Sequence, residues 1–279
     1  MSEATTRRYD RHALRYEKWW GPVIAPAALA LFERVADALS DRPPSRVLDV
    51  GTGTGVLARA AVRRWRHARV VGLDGSAGML GVAEAGARGL REDEAARLSW
   101  STGLAERLPF PDGDFELVIS SFVFQLVPDR GLALREAFRV LRPGGLLGYV
   151  TWLAAEDDYA PQRIFDDIVD EEGLEDGRDV DDGRSGDVPS VAAAAAQLRR
   201  AGFRDVRAGE ELLEHGWSAT EYLRFLERYD AAELFDSLGR AGRSRLRRLT
   251  AERLADLAPA DLLWRAPLIS ALATKPAST

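Results

Sequence analysis

The chain predicts an α/β fold with a doubly wound parallel sheet, and three observations carry that expectation. Short apolar runs recur through its first half, at Val47-Leu-Asp-Val50, Val70-Val-Gly-Leu-Asp74 and Phe115-Glu-Leu-Val-Ile-Ser-Ser121. Segments of helical spacing lie between and after them, and the first run passes straight into Gly51, Gly53 and Gly55. Apolar strands that alternate with helices belong in a sheet covered on both faces and joined by right-handed crossovers. In such a sheet ligands bind beyond the carboxyl ends of the strands.

The elements follow in order. Ala28, Phe32, Val35 and Leu39 repeat on one helical face within Ala27 to Leu39, and Asp41-Arg-Pro-Pro-Ser45 breaks the pattern. After the glycine loop a helix begins at Leu57, with its N-terminal amides expected to face the site. A further helix over Ala133 to Leu141 is expected to close on Arg142-Pro-Gly-Gly145, and the apolar run Leu146 to Trp152 forms the next strand. Beyond it the pattern is less regular. Phe203 to Trp217 can hold a strand, Thr220 to Leu257 reads as mostly helical, and Pro267 to Lys275 reads as a last strand. With 279 residues, a single elaborated domain over 1–279 is expected, divided into a cap (1–44), a cofactor-binding half (45–152) and a remainder (153–279) that completes the acceptor side.

Composition excludes several chemistries. There is no cysteine, so thiolate metal sites, disulfides and cysteine nucleophiles are absent. The formal net charge of −6 disfavours a nucleic-acid partner, which needs a basic surface to neutralise phosphates. No stretch reaches the apolar length of a signal peptide or membrane span, so a cytoplasmic protein without a membrane partner is expected.

The spacing of the glycines narrows the ligand. A dinucleotide loop needs GxGxxG, with its third glycine packing helix on strand. Here Val56 stands at that third position and Asp49 precedes the loop, giving an acid followed by GxGxG. A pyrophosphate would meet that acid unfavourably, and a ligand with positive charge suits it better. Asp74 closes the second run about twenty residues later, where an acid can accept hydrogen bonds from ribose hydroxyls. Dehydrogenases share that last feature, so an oxidoreductase and a non-catalytic binding module stay open as alternatives.

At these residues the chain resembles the class I S-adenosylmethionine-dependent methyltransferases, whose first motif is an acidic residue before GxGxG. Three further segments extend the resemblance from about Ser45 to Trp152: Asp74-Gly75-Ser-Ala-Gly-Met79, Gly103-Leu-Ala-Glu-Arg-Leu-Pro-Phe110 and Arg139-Val-Leu-Arg-Pro-Gly-Gly145. It implies a seven-stranded Rossmann-like sheet with the last strand antiparallel between the fifth and sixth. It also implies S-adenosylmethionine as cofactor, held by Asp49, Gly51, Thr52, Gly53, Gly55, Asp74, Gly75, Met79, Ala105, Glu106 and Ser121, with Tyr16 over it. Leu104 stands where the family usually has Asp, which leaves the adenine contact to the backbone of Ala105 with help from Glu106. Gln125 stands where a histidine is frequent, and glutamine cannot act as a base.

The whole-chain pattern is similar to the ubiquinone and menaquinone biosynthesis methyltransferases and to natural-product tailoring enzymes. It implies methyl transfer to an oxygen, nitrogen or carbon of a small-molecule acceptor. No residue is assigned as catalytic and no metal is expected. The aromatic N-terminal stretch with Tyr9, Tyr16, Trp19 and Trp20 reads as a lid for a sulfonium or as a packing anchor. Of the histidines, His67 is expected on a helix surface, His215 in an edge strand, and only His12 near the lid. Leu153 to Ser190 carries fourteen acids against three arginines, and reads as a solvated loop or as a lid selecting a cationic or neutral acceptor.

Overall fold

In the computed structural model, residues 3–155, 158–174 and 186–277 are described. Two helices precede the sheet, α1 (Glu3–Trp19) and α2 (Gly21–Ala38). The sheet strands are β1 (Arg46–Val50), β2 (Arg69–Asp74), β3 (Leu98–Thr102), β4 (Phe115–Ser121), β5 (Leu141–Trp152), β6 (Arg204–Gly216) and β7 (Leu263–Thr274). Between them lie α3 (Val56–Arg64), α4 (Ala77–Ala87), the short α5 (Glu92–Ala95), α6 (Arg130–Val140), α7 (Ala160–Glu171) and α8 (Val191–Arg200). The segment before β7 holds α9 (Ala219–Phe225), a π-helical turn (Leu226–Asp230), α10 (Ala232–Ser237) and α11 (Arg240–Ala255).

The seven strands are ordered β3-β2-β1-β4-β5-β7-β6. β1 to β5 run parallel and β7 is antiparallel to both of its neighbours, the arrangement that the resemblance implies. Central strands buried on both faces explain why β1 and β4 read as continuous apolar runs, since no face is left for polar residues. α2 and α3 cover one face, through Leu31, Val35, Ala58, Ala61 and Val62. α6 and α8 cover the other, through Leu134, Ala137 and Leu198. The strand order reverses between β1 and β4, so a crevice opens at their carboxyl ends.

Three expectations need correction. β5 begins at Leu141, so Arg142-Pro-Gly-Gly145 lies within the strand, where its pairing with β4 shifts register, and not in a helix-ending turn. Gly144 takes φ 78° there, and its N–H donates to the Lys275 carbonyl at 2.8 Å. The role of ending α6 falls to Lys275, whose Nζ donates to the Phe138 carbonyl at 2.8 Å and the Leu141 carbonyl at 2.7 Å, a cation at a helix C-terminus. His67 lies in the exposed turn after α3, not on a helix.

The third correction concerns the acidic segment, of which residues 156–157 and 175–185 lie outside the described ones. Its described part includes a helix: α7 docks by burying Phe165, Ile168 and Val169 against α9, α10 and α11. Those apolar positions have helical spacing, and the surrounding charge obscured them. Glu171 and Glu172 pair with Arg253 and Arg245 of α11.

Candidate functional site

A cavity opens in the crevice, with about 560 Å³ of empty space once the adjoining open solvent is included. Its wall includes Tyr16, Gly51, Gly53, Asp74, Gly75, Met79, Ala105 and Ser121. The same fold places Asp49, Thr52, Gly55 and Glu106 off that wall.

The reason lies in the turn after β1. Asp49 is 1 % exposed, and its Oδ2 accepts from Thr52 Oγ1 at 2.6 Å and from the Ala58 amide at 3.1 Å. α3 begins at Val56, so the Ala58 amide is one of the helix's unpaired N-terminal donors. It is aimed at a buried carboxylate of the chain itself, so this one amide does not face the ligand as expected. Burial pushes the Asp49 carboxyl up to about 7, against the pull of its two hydrogen bonds. Three loop amides are also engaged. Thr52 N–H donates to the Leu73 carbonyl at 2.9 Å, Gly53 N–H to Asp74 Oδ2 at 2.8 Å, and Gly55 N–H to the Thr52 carbonyl at 2.8 Å.

Two glycines meet different demands. Gly51 has φ +66°, and a Cβ there would lie 2.2 Å from Val123 Cγ2, so the loop folds against the end of β4 only without a side chain. Gly55 has φ +80°, and its Cβ would meet Trp100 Cη2 at 2.8 Å, which makes it a packing position under β3.

Asp74 binds the loop and faces the cavity. Besides Gly53 it accepts from Ser76 N–H at Oδ1, 2.9 Å, and each oxygen keeps a lone pair for a further donor. Burial raises its carboxyl above the ordinary range, opposed by these amides. Ser76 caps α4 by accepting from Met79 N–H at 3.0 Å, and Met79, only 2 % exposed, lines the cavity. Core packing and ligand contact are thus compatible at that side chain.

The far wall, Gly103 to Ala105, is held from behind by α6. Glu136 accepts from Leu108 N–H at 2.9 Å. Arg139 donates to the carbonyls of Leu108 at 3.0 Å and Phe110 at 2.7 Å, and to Asp112 at 2.8 Å. This clamp was not readable in advance, because Arg139 belongs to a motif otherwise understood as a helix end.

Two more wall residues were not among the expected cofactor contacts, Phe122, which was missed, and Tyr9, which was named only in the aromatic stretch. Phe122 has φ 56°, an outlier for an aromatic residue, and stacks at 4.5 Å on Trp152. Tyr9 lines the cavity beside Tyr16, the rings 5.9 Å apart and edge to face. α1 is pinned there by Asp10, whose Oδ1 accepts from Ser76 Oγ at 2.6 Å and Gly78 N–H at 2.8 Å. A Cβ at Gly78 would meet the Asp10 carbonyl at 2.6 Å, so the helices touch through backbone. Tyr9 and Tyr16 recur at helical spacing, a signal available in the sequence.

Several polar candidates are elsewhere. Gln125 is buried in the turn after β4 and accepts from Thr151 Oγ1 of β5 at 2.7 Å. His12 lies 3.2 Å from Glu233 on the outer side of α1, and His215 is on the edge strand β6, against Trp217. Among the described residues no group of His, Asp and Glu is placed to hold a metal, and no helix is long and apolar enough to cross a membrane.

Residues 48–148 match the methyltransferase domain family. The chain is 43 % identical over 116 residues to a demethylmenaquinone methyltransferase of Thermus thermophilus, covering 41 % of this chain and 50 % of that protein. It is 35 % identical over 153 residues to a malonyl-[acyl-carrier protein] O-methyltransferase of Halorhodospira halophila, covering 52 % and 47 %. The chain thus spans about half the length of the curated relatives it matches. The YcgJ protein of Bacillus subtilis has the same fold, with a TM-score of 0.57 at 19 % identity over 89 % of this chain and 99 % of that one.

Proposed function

We propose, from the premise that the chain carries a class I S-adenosylmethionine-dependent methyltransferase domain, that it transfers a methyl group from S-adenosylmethionine to an oxygen, nitrogen or carbon of a small molecule. The observation that carries this reading is that one amide of the first turn of α3 and one of the glycine loop are already held by carboxylates of the chain. A pyrophosphate needs free helix and loop amides, and here the Ala58 amide serves Asp49 while Gly53 N–H serves Asp74. That opposes a nicotinamide cofactor and supports a ligand that meets the loop through shape and buried negative charge.

The residues fit such a donor. Gly53 leaves open space where a Cβ would stand, so backbone can approach a ligand closely. Asp74 has acceptor capacity for ribose hydroxyls, Met79 offers an apolar surface for a purine, and the Ala105 backbone borders the same cavity. Bound there, S-adenosylmethionine supplies an activated methyl carbon on a positively charged sulfur. Tyr9 and Tyr16 present aromatic surface over the cavity, which favours a cation and excludes water. Among the described residues Asp74 is the one carboxylate on the cavity wall, and positioning an acceptor on axis is the contribution that the wall supports. Effective molarity from such positioning is worth roughly 7–11 kcal/mol. A small molecule is favoured over nucleic acid by the net charge of −6.

Calorimetric titration with S-adenosylmethionine, S-adenosylhomocysteine and NADH tests the donor. Binding of both sulfur compounds without NADH is expected, and NADH binding alone overturns the reading. Transfer of labelled methyl to a fraction of cell extract tests the reaction, and a protein that binds the donor but labels nothing is a binding module.

A further inference from the structure

The cap and the donor side share a residue, Ser76. Asp10 of α1 does not line the cavity, although its neighbour Tyr9 does. The Asp10 Oδ1 accepts from Ser76 Oγ at 2.6 Å and from Gly78 N–H at 2.8 Å, 66 and 68 positions along the chain. Ser76 is fully buried, and its hydroxyl and amide serve three different partners. The hydroxyl proton goes to Asp10, the hydroxyl oxygen takes Met79 N–H at 3.0 Å, and the amide donates to Asp74 Oδ1 at 2.9 Å. A chain of hydrogen bonds therefore runs from Asp10 through Ser76 to Asp74, whose Oδ2 accepts from Gly53 N–H at 2.8 Å.

A buried hydroxyl carries one proton, and that proton needs an acceptor. With Asp10 in place it has one of its own, and Asp74 Oδ1 is left to the Ser76 amide and one further donor. Without Asp10 the hydroxyl is either unsatisfied or competes for the acceptor capacity that a ribose would use. The arrangement has a cost, because an acid at Asp10 opposes the charge on Asp74. The bonds from Ser76 and Gly78 offset it, and they hold the Asp10 carboxyl below the ordinary range. Nor does α1 hang on Asp10 alone. His12 lies 3.2 Å from Glu233 and Arg15 lies 3.2 Å from Asp236, both of α10. Tyr16 has its ring 6.4 Å from that of Tyr229 in the π-helical turn. An acid facing the donor-side carboxylate is therefore more than the cap needs to stay seated.

We propose that Asp10 is a positioning residue for the donor's ribose: by taking the Ser76 hydroxyl proton it fixes Ser76 and keeps Asp74 Oδ1 available to a ribose hydroxyl. The proposal rests on the methyltransferase reading, and it makes recognition of the donor depend on a cap residue that does not line the cavity. Donor binding and cap docking are then linked through Ser76, and each favours the other by the same factor.

The full-length protein is titrated by calorimetry with S-adenosylhomocysteine and with its 2′-deoxyribose analogue, which lacks one hydroxyl. The wild type is expected to prefer the ribose compound about tenfold, equivalent to about 1.4 kcal/mol. Asp10→Ala is expected to cut that preference to about twofold, Ser76→Ala to do the same from the other end of the link, and the double substitution to go no further. Asp10→Asn keeps a side-chain oxygen for both donors and is expected to retain the preference of the wild type. A cap that merely covers the site makes a different prediction: Asp10→Ala then weakens both compounds equally and the preference stands, which overturns the proposal. An Asp10→Asn variant that loses the preference also overturns it, as does a Ser76→Ala variant that keeps it. Should Asp10→Ala not fold, Asp10→Asn and Ser76→Ala decide. A wild type that binds both compounds equally removes the ribose role of Asp74 and the proposal with it, whereas a wild type that binds neither refutes the methyltransferase reading itself.

Discussion

The two sides of the cavity are built by different means. On the donor side, Asp49, Gly51, Gly53 and Asp74 lie within 26 residues, and the hydrogen bonds of the two carboxylates stay between residues 49 and 76. On the cap side, Tyr16 and Tyr229 are more than 200 positions apart and meet only because α1 crosses the helices before β7. The donor side is in its hydrogen bonds a local device. The cap side is assembled by packing, so its chemistry depends on how distant segments dock.

The largest expected effect falls on the local side. Gly51→Ala puts a Cβ within 2.2 Å of Val123 at a positive φ. It should destabilise the fold by about 1–3 kcal/mol and abolish measurable S-adenosylhomocysteine binding, read by thermal unfolding and calorimetry. Adding Val123→Ala removes the clash but not the backbone strain, so stability should return only in part. Full recovery would show that the glycine serves packing alone.

Asp74→Ala comes next. Two lost charge-assisted hydrogen bonds should weaken cofactor binding by about 2–3 kcal/mol. Unchanged affinity would leave Asp74 as a brace for Gly53 and Ser76, with no ribose role. Asp10→Ala strikes the cap side by removing its anchor on α4. The expected result is a drop in melting temperature of about 2–4 °C and faster proteolysis within α1, with cofactor affinity lowered severalfold. A cap that stays protected would mean that the tyrosine and tryptophan contacts hold it alone.

The smallest effect is a pH dependence. Burial holds Asp49 up to about 7, so between roughly pH 4 and 7 the unfolded chain releases a proton that the folded chain keeps. Its contribution to stability is present below pH 4 and lost as pH rises through 7. Asp49→Asn should flatten that slope in denaturant titrations at several pH values. Ionisation also places charge beneath the loop, so affinity for the cationic donor relative to its neutral product should rise severalfold from pH 6 to 8 in the wild type only.

Legibility followed the same division. β1, β2 and β4 were readable because strands buried on both faces are continuous apolar runs, whereas Leu98-Ser-Trp-Ser-Thr102 mixes polar residues and did not announce β3. Eight wall residues, from Tyr16 to Ser121, were named from motifs. Tyr9 was named in the aromatic stretch but not among the cofactor contacts, and Phe122 was missed because a positive φ leaves no mark in composition. α7 was hidden by its own charge.

The sequence by itself determined the sheet, the turn after β1 and the donor-side carboxylates, because these depend on periodicity, on glycine at positive φ and on hydrogen bonds between near neighbours. Only the tertiary structure decided that Asp49 faces the helix and not the ligand, that Arg139 braces the far wall, and that Tyr229 joins Tyr9 and Tyr16. Those outcomes depend on which surfaces become buried against each other, and burial is a property of the packed chain as a whole.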